Sequence, residues 1–181
     1  MITIFNSEKW LALRNKETKG FTLIELLVVV GILGVLLGVI IAVFDPVGQL
    51  QKSRDAQRKS DLGQIQRALE QFYDDNNGKY PSSDGTYRIL ALDNTVVAWG
   101  ASFSPFMNIL PKDPSGGRNY VYYSPALANG QTYFLYASLE RGIKDLQACS
   151  GGLCSGAGIG GLDTACGGTC NYGVSSSNVS P

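Results

Sequence analysis

The chain has 181 residues with no net formal charge, and 44% of them are apolar. This length accommodates one modest domain and an anchor but not two full-sized domains, and the charge balance gives no whole-chain argument for a nucleic-acid or anionic-membrane partner. The sequence has no histidine and no phosphate-binding loop, dinucleotide-binding fingerprint or HExxH helix, so nothing in it supports an enzyme, a cofactor or a metal site.

Residues 1–20 are predicted to be a hydrophilic leader, because they mix basic and acidic side chains and lack the apolar core of a conventional secretory signal. Residues 21–46 follow, and Glu25 is the only charge before Asp45. This apolar run is long enough to cross a bilayer as a helix. Asp45 and Pro46 are predicted to end or kink it, because proline removes a backbone donor and disfavours helix at the preceding residue.

The apolar run contains small residues at four-residue spacing. Gly34, Gly38 and Ala42 share one face of the predicted helix, where small side chains let two helices approach closely. The alternative is that glycine is simply common in membrane helices. We favour a helix-packing face.

Residues 47–77 are predicted to form an amphipathic helix, since apolar side chains recur every three or four residues. That stripe consists of Leu62, Ile65, Leu69 and Phe72. The stretch 51–61 is polar on all sides and is predicted to be a solvated part of the helix. Its basic cluster, Lys52, Arg54, Arg58 and Lys59, suits lipid phosphates or DNA, but Asp55 and Asp61 interrupt it, and a solvated run is favoured over nucleic-acid contact.

Residues 78–146 are predicted to be a β-rich head, since β-branched and aromatic residues dominate four short segments. The segments are 87–90, 95–99, 119–123 and 132–136. The last two are expected to pair as a hairpin, because Asn129-Gly130 between them is turn-forming. The many tyrosines would suit carbohydrate stacking, but alternating aromatics in strands more often form a core face.

Residues 147–181 form a glycine-, serine- and cysteine-rich tail to which the sequence assigns no regular structure. All the cysteines lie there: Cys149, Cys154, Cys166 and Cys170. An even number in a loop-like segment predicts two disulfides and an oxidising compartment. Three pairings are possible, and pairing of neighbours is the simplest. Zinc binding is less favoured, because the spacings differ from those of structural zinc sites.

The boundary between leader and apolar run reads Lys19-Gly20-Phe21-Thr22-Leu23-Ile24-Glu25. A small residue, then an aromatic, then one acid inside an unbroken apolar helix resembles the type IV prepilin family, which includes the type II secretion pseudopilins. Weaker similarity continues at Tyr80-Pro81, at 110–114 and at 120–123.

The resemblance implies that a prepilin peptidase cleaves between Gly20 and Phe21 and methylates the new amino group of Phe21. It also implies that Glu25 pairs with the Phe21 amine of a neighbouring subunit. The physical chemistry agrees, since a carboxylate in a membrane helix costs up to about 3 kcal/mol unless it is paired or reaches the interface. The alternative is that Glu25 only snorkels in a monomeric anchor. The calcium site of major pseudopilins is not expected, since only Asp145 and Asp163 remain in the acidic-loop region.

We therefore predict an α+β pilin-like fold, with a long N-terminal helix, half membrane span and half amphipathic, packed on a small antiparallel sheet. The predicted function is a non-enzymatic subunit of a type IV pilus or pseudopilus that assembles with itself and with other pilins or pseudopilins. The leader is expected in the cytoplasm, the helix in the cytoplasmic membrane and the head outside, before the subunit joins a surface or periplasmic filament. The alternatives are a minor pilin with an adhesive or DNA-binding head and a plain single-pass membrane-anchored binding domain.

Overall fold

A computed structural model describes residues 20–158, 161 and 165–181 of the chain. Most of the predicted leader and Asp163 lie outside these residues. The chain divides at Asp45 and Pro46 into two compact units. Together the helices and small antiparallel sheets confirm the predicted α+β, pilin-like fold.

The first unit contains helix α1, Leu23–Val43. Its stretch Leu23–Ile41, of mean hydropathy 3.0, is long and apolar enough to cross a membrane, and none of it is buried. Every leucine, isoleucine and valine of α1 is at least 48% exposed. A helix that is apolar on all sides is stable only when lipid or other protein surrounds it.

The second unit begins with helix α2, Pro46–Asp75. Proline suits the first helical position, because its fixed φ is already helical and its missing N–H would have no intrahelical partner. The helix ends where Asn77 and Gly78 take positive φ angles of 55° and 68°. The Gly78 N–H then donates to the Tyr73 carbonyl at 3.0 Å, which satisfies one of the last helical carbonyls.

The strands of the second unit are short and antiparallel. Strands β1, Ile89–Leu90, and β2, Val96–Val97, form one two-stranded sheet. The second sheet has the order β3–β4–β5, from Val121–Tyr123, Phe134–Ala137 and Tyr172–Ser175. The predicted hairpin of the third and fourth segments is confirmed, with Tyr122 opposite Leu135. The tail was predicted to lack regular structure, and β5 shows that this was wrong.

Strand β4 is buried along its whole length and carries one core on each face. Leu135 and Ala137 join the main cluster, which contains the α2 stripe of Leu62, Ile65, Leu69 and Phe72. Phe134 and Tyr136 point the other way, into a smaller cluster with Cys154, Cys166 and Cys170. Successive side chains of a strand alternate between its faces, so α2 covers one face of the sheet and the cysteine-rich tail covers the other.

The predicted solvation of residues 51–61 is wrong for one face of the helix, although residues 52, 53, 56, 57 and 60 are exposed as expected. Asp55, Arg58 and Asp61 are only 2%, 0% and 7% exposed. They continue the α2 stripe at three-residue spacing toward Leu62, so they face the head. Charged side chains are rarely buried without partners, and each of these three has at least one.

Candidate functional site: the start of α1 and the anchors of the head

The first turn of α1 is closed by reciprocal hydrogen bonds between Thr22 and Glu25. Thr22 is the N-cap, and its Oγ1 accepts from the Glu25 backbone N–H at 3.2 Å. The Glu25 carboxylate in turn accepts from the Thr22 backbone N–H at 2.9 Å and from the Thr22 hydroxyl at 2.8 Å. This capping box satisfies two backbone donors that a helix start would otherwise leave unpaired. Glu25 therefore has a local structural role in the single chain.

The surroundings of Glu25 combine a carboxylate with apolar surface. Phe21, Ile24, Val28 and Val29 line a shallow cavity of about 390 Å³ beside it. Phe21, the residue before the cap, is 84% exposed. A negative charge at a helix N-terminus is favoured by the helix dipole, and the adjoining cavity offers space for an apolar group. Glu25 is thus a carboxylate with exposed apolar surface beside it.

The glycine face of α1 is open in the single chain. A Cβ atom placed on Gly34 or Gly38 would have no heavy atom within 4 Å. The side chain of Ala42, the third member of the predicted packing face, lies outside the described part of the structure. Space at these glycines leaves room for close approach of another helix.

A buried ion network fixes the first half of α2 to two later loops. Arg58 is fully buried and donates to Asp113 through Nε and Nη2 at 2.8 and 2.9 Å. Its Nη1 also donates to Asp55 at 2.8 Å and to Glu140 at 3.1 Å. Burial alone would raise the pKa of the Asp113 carboxyl, but hydrogen bonds from Arg58 and Ser115 outweigh burial and lower it. Paired, fork-shaped hydrogen bonds of this kind also fix geometry.

Glu140 and Asp55 extend the network to the loop after β4. Arg54 donates to both oxygens of Glu140, at 2.6 and 2.5 Å. These hydrogen bonds lower the pKa of Glu140 to about 2, although burial opposes them. Asp55 accepts from the backbone N–H groups of Glu140 and Arg141 at 2.8 and 3.0 Å. One face of α2 thus caps the loop that follows the central strand.

The predicted basic cluster is mostly occupied within the head. Arg54 and Arg58 belong to the ion network, and Lys59 Nζ lies 2.7 Å from both Asp145 oxygens. Lys52 is the exposed member of the cluster. A cation already paired inside the protein contributes little to a phosphate-binding patch, so the structure corrects the expectation of a solvated basic run and weakens the case for nucleic acid.

The four cysteines form two disulfides between neighbours, Cys149–Cys154 and Cys166–Cys170. Backbone hydrogen bonds join the two loops, since the Cys154 N–H donates to the Cys170 carbonyl at 2.9 Å and the Cys149 N–H donates to the Asn171 carbonyl at 2.8 Å. A disulfide consumes the thiolates that zinc would need. Among the described residues no group of three His, Cys, Asp or Glu is placed to hold a metal ion.

Sequence reasoning proposed Gly20, Phe21 and Glu25 as functional residues, and it missed the ion network. The spacing of the charged residues along α2 did contain a signal for this network. Asp55, Arg58 and Asp61 extend the apolar stripe backward along α2, and charged residues on the core side of a helix indicate buried ion pairs. The partners Asp113 and Glu140 carry no such local signal, because they lie in loops 55 and 82 residues away.

Comparison with known proteins gives two family matches. Residues 15–41 match the family described as the prokaryotic N-terminal methylation motif. Residues 46–145 match the family described as type II secretion system (T2SS), protein G. The second match covers more than half of the chain.

Several curated proteins named "Type II secretion system core protein G" are similar to the chain. The protein from Pectobacterium carotovorum subsp. carotovorum is 32% identical over 109 residues, 59% of this chain and 67% of the relative. The Vibrio cholerae protein is 30% identical over 113 residues, 62% of this chain and 75% of the relative. The Escherichia coli (strain K12) protein is 29% identical over 111 residues, 60% of this chain and 74% of the relative. No solved structure matches the chain significantly.

Proposed function

The chain belongs to the type II secretion system protein G family, and from that membership we propose how it matures and assembles. It is a pseudopilin, a structural subunit that polymerises with other copies through α1. The observation that carries this function is the single carboxylate of Glu25 at the start of a helix that is apolar on every side. We assign it no catalytic activity.

We propose that a prepilin peptidase removes residues 1–20 and methylates the new amino group of Phe21. The match to the N-terminal methylation motif spans this boundary. Gly20 is exposed, and a Cβ atom there would meet nothing within 4 Å, so the peptide bond that follows it is accessible. Cleavage here leaves the Thr22–Glu25 capping box complete.

Maturation then supplies a cation that can pair with Glu25 in an apolar environment, in addition to its hydrogen bonds from Thr22. A carboxylate surrounded by hydrocarbon is costly unless a cation or hydrogen-bond donors compensate it. The new Phe21 amine of a neighbouring subunit provides a cation attached to an aromatic side chain. The cavity formed by Phe21, Ile24, Val28 and Val29 beside Glu25 is suited to such a group, and Gly34, Gly38 and Ala42 provide the close-packing face.

We propose that Leu23–Ile41 holds the subunit in the cytoplasmic membrane before assembly, with residues 1–20 in the cytoplasm. The head, residues 78–146, and the tail, residues 147–181, then lie outside, attached through α2. The two disulfides support this orientation, because such bonds persist in oxidising compartments. After assembly the apolar helices pack together in the filament, alongside other pseudopilins.

The intact mass and the N-terminal peptide of the chain recovered from its native membrane test this function. We expect a mature start at Phe21 that carries one added methyl group, and filaments that contain the chain. A Gly20→Leu variant should remain unprocessed and unassembled, whereas Leu23→Ile, on the other side of the cut, should be processed. An unprocessed wild-type chain in the same membrane would favour the plain anchored domain instead.

A further inference from the structure

The head has an aromatic cavity beside the C-terminal end of α2. Its volume is about 460 Å³, and its floor consists of Phe72, Phe103 and Phe106. The ring centroid of Phe72 lies 5.8 Å from that of Phe103 and 5.1 Å from that of Phe106. Aromatic floors of this size bind apolar side chains by removing their surface from water.

The rim of this cavity is acidic. Asp75 and Asp93 line it, and both are exposed. Hydrogen bonds from Thr95 lower the pKa of Asp93, and these bonds use its Oδ1, at 2.6 Å from the hydroxyl and 3.0 Å from the N–H. Leu92, 72% exposed, also lines the cavity and adds apolar surface to it. The cavity therefore suits an apolar group that has a cation beside it.

A second surface of the head has the complementary character. Residues 143–146, which we name the 143–146 knob, present Ile143 at 79% exposure and Leu146 at 103% exposure. Lys144, between them, is also exposed. An exposed apolar patch that is rimmed by polar or charged groups is typical of an interaction site.

The 143–146 knob is held firmly in place. Lys59 Nζ of α2 binds both oxygens of Asp145 at 2.7 Å and the Gln147 side-chain oxygen at 2.8 Å. The Cys149–Cys154 disulfide closes the loop that follows. A surface that is already ordered loses less conformational entropy on binding, so the knob is preorganised for a partner.

We propose that the 143–146 knob of one subunit docks into the aromatic cavity of a second copy. Ile143 and Leu146 cover the floor, and Lys144 lies beside Asp75 and Asp93. The proposal rests on the proposed assembly function, and it names a contact between heads in addition to the packing of the apolar helices.

Position along α2 explains why the contact joins two copies. The knob is anchored at Lys59 and the cavity is built on Phe72, which is 13 residues later in the same helix, a rise of about 20 Å. One chain therefore presents the two surfaces at different levels of its head. Two different surfaces that bind each other join copies head to tail, and such a contact repeats without closing unless the rotation forms a ring.

Site-specific photo-cross-linking tests the contact in the full chain, coexpressed with its prepilin peptidase. A photoreactive phenylalanine at position 146 should give a cross-linked dimer whose linked peptide contains Phe72, Leu92 or Phe106. Leu127 is the matched control, because it is also a fully exposed leucine, at 102%, and should not link to those peptides. Cross-links from position 146 to other peptides, or to another protein, would overturn the docking proposal.

Side-chain substitutions test how much the proposed contact contributes to assembly. Leu146→Ala should weaken the contact between the 143–146 knob and the aromatic cavity about tenfold and lower the filament yield, as expected for loss of a buried leucine side chain. Leu127→Ala should leave the filament yield unchanged. Lys144→Glu should weaken the contact up to about fivefold, and adding Asp75→Lys should restore the yield. Normal filaments from Leu146→Ala would refute the docking while leaving the pseudopilin function intact. Failure of the wild type to be processed or to assemble would refute both.

Discussion

Arg58 and Asp113 face each other through two parallel hydrogen bonds, and neither side chain reaches solvent. Removing one member of a buried pair leaves the other charge without compensation. We expect Asp113→Asn, which keeps the shape of the side chain, to destabilise the head by about 3 kcal/mol or more.

The measurement is urea unfolding of the mature chain in detergent micelles, followed by the fluorescence of Trp99. The matched control is Asp74→Asn, since Asp74 is an exposed acid on the same helix as Arg58. It should change the free energy of unfolding by less than about 0.5 kcal/mol. Equal midpoints for both variants would show that the buried pair does not stabilise the head.

The stability of the head should depend on pH through Glu140. Its hydrogen bonds with Arg54 lower its pKa from the ordinary 4.5 to about 2. Because the folded pKa is below the unfolded one, the stabilisation is complete above about pH 4.5 and is lost as the pH falls toward 2. We expect Glu140→Gln to be less stable than the wild type at pH 7, and the difference between them to shrink on acidification. A difference that stays constant from pH 7 to pH 2 would contradict this assignment.

The two disulfides should stabilise the head. Each closes a loop of only a few residues, for which the chain-entropy estimate is about 2 kcal/mol. We expect reduction to lower the unfolding temperature, and Cys166→Ala with Cys170→Ala to lower it as well. A variant without any of the four cysteines serves as control and should not respond to the reductant. An unchanged wild-type melting curve after verified reduction would remove this role.

The two roles of Glu25, helix capping and charge, can be separated. Glu25→Gln should keep the capping box, since glutamine also accepts from the Thr22 N–H, but it loses the charge. Thr22→Ala loses the side-chain cap, at a cost of about 1 kcal/mol, and keeps the charge. We expect the first variant to be processed but to form few filaments, and the second to assemble. Electron microscopy and N-terminal mass measurement check both variants, and assembly of Glu25→Gln would show that the charge is dispensable.

Much of the fold follows from local patterns. The long apolar run predicted α1, and the proline at position 46 predicted the break after it. The stripe from Leu62 to Phe72 predicted α2. These signals act over a few residues, so they can be read locally. Paired aromatic segments around Asn129-Gly130 predicted the β3–β4 hairpin for the same reason. The predicted strands were longer than the observed ones by one to three residues, and the fourth was also shifted toward its N-terminal end.

The parts that were missed depend on contacts between distant segments. Strand β5 contains Gly173 within Tyr172–Ser175, and glycine weakens the strand pattern. It is a strand because its backbone pairs with β4, with Leu135 opposite Val174. The burial of Arg58 likewise depends on Asp113 and Glu140, so no window of sequence around position 58 contains the reason for it.

The position of β5 at the edge of the sheet bears on biosynthesis. Its neighbour β4 is complete by residue 137, whereas β5 is contributed only by residues 172–175. In a molecule cut short between these points, β4 would present a free row of N–H and C=O groups, which is a template for association with other chains. Truncated products would therefore be aggregation-prone and open to proteolysis, and only chains synthesised at least as far as β5 would give well-folded heads.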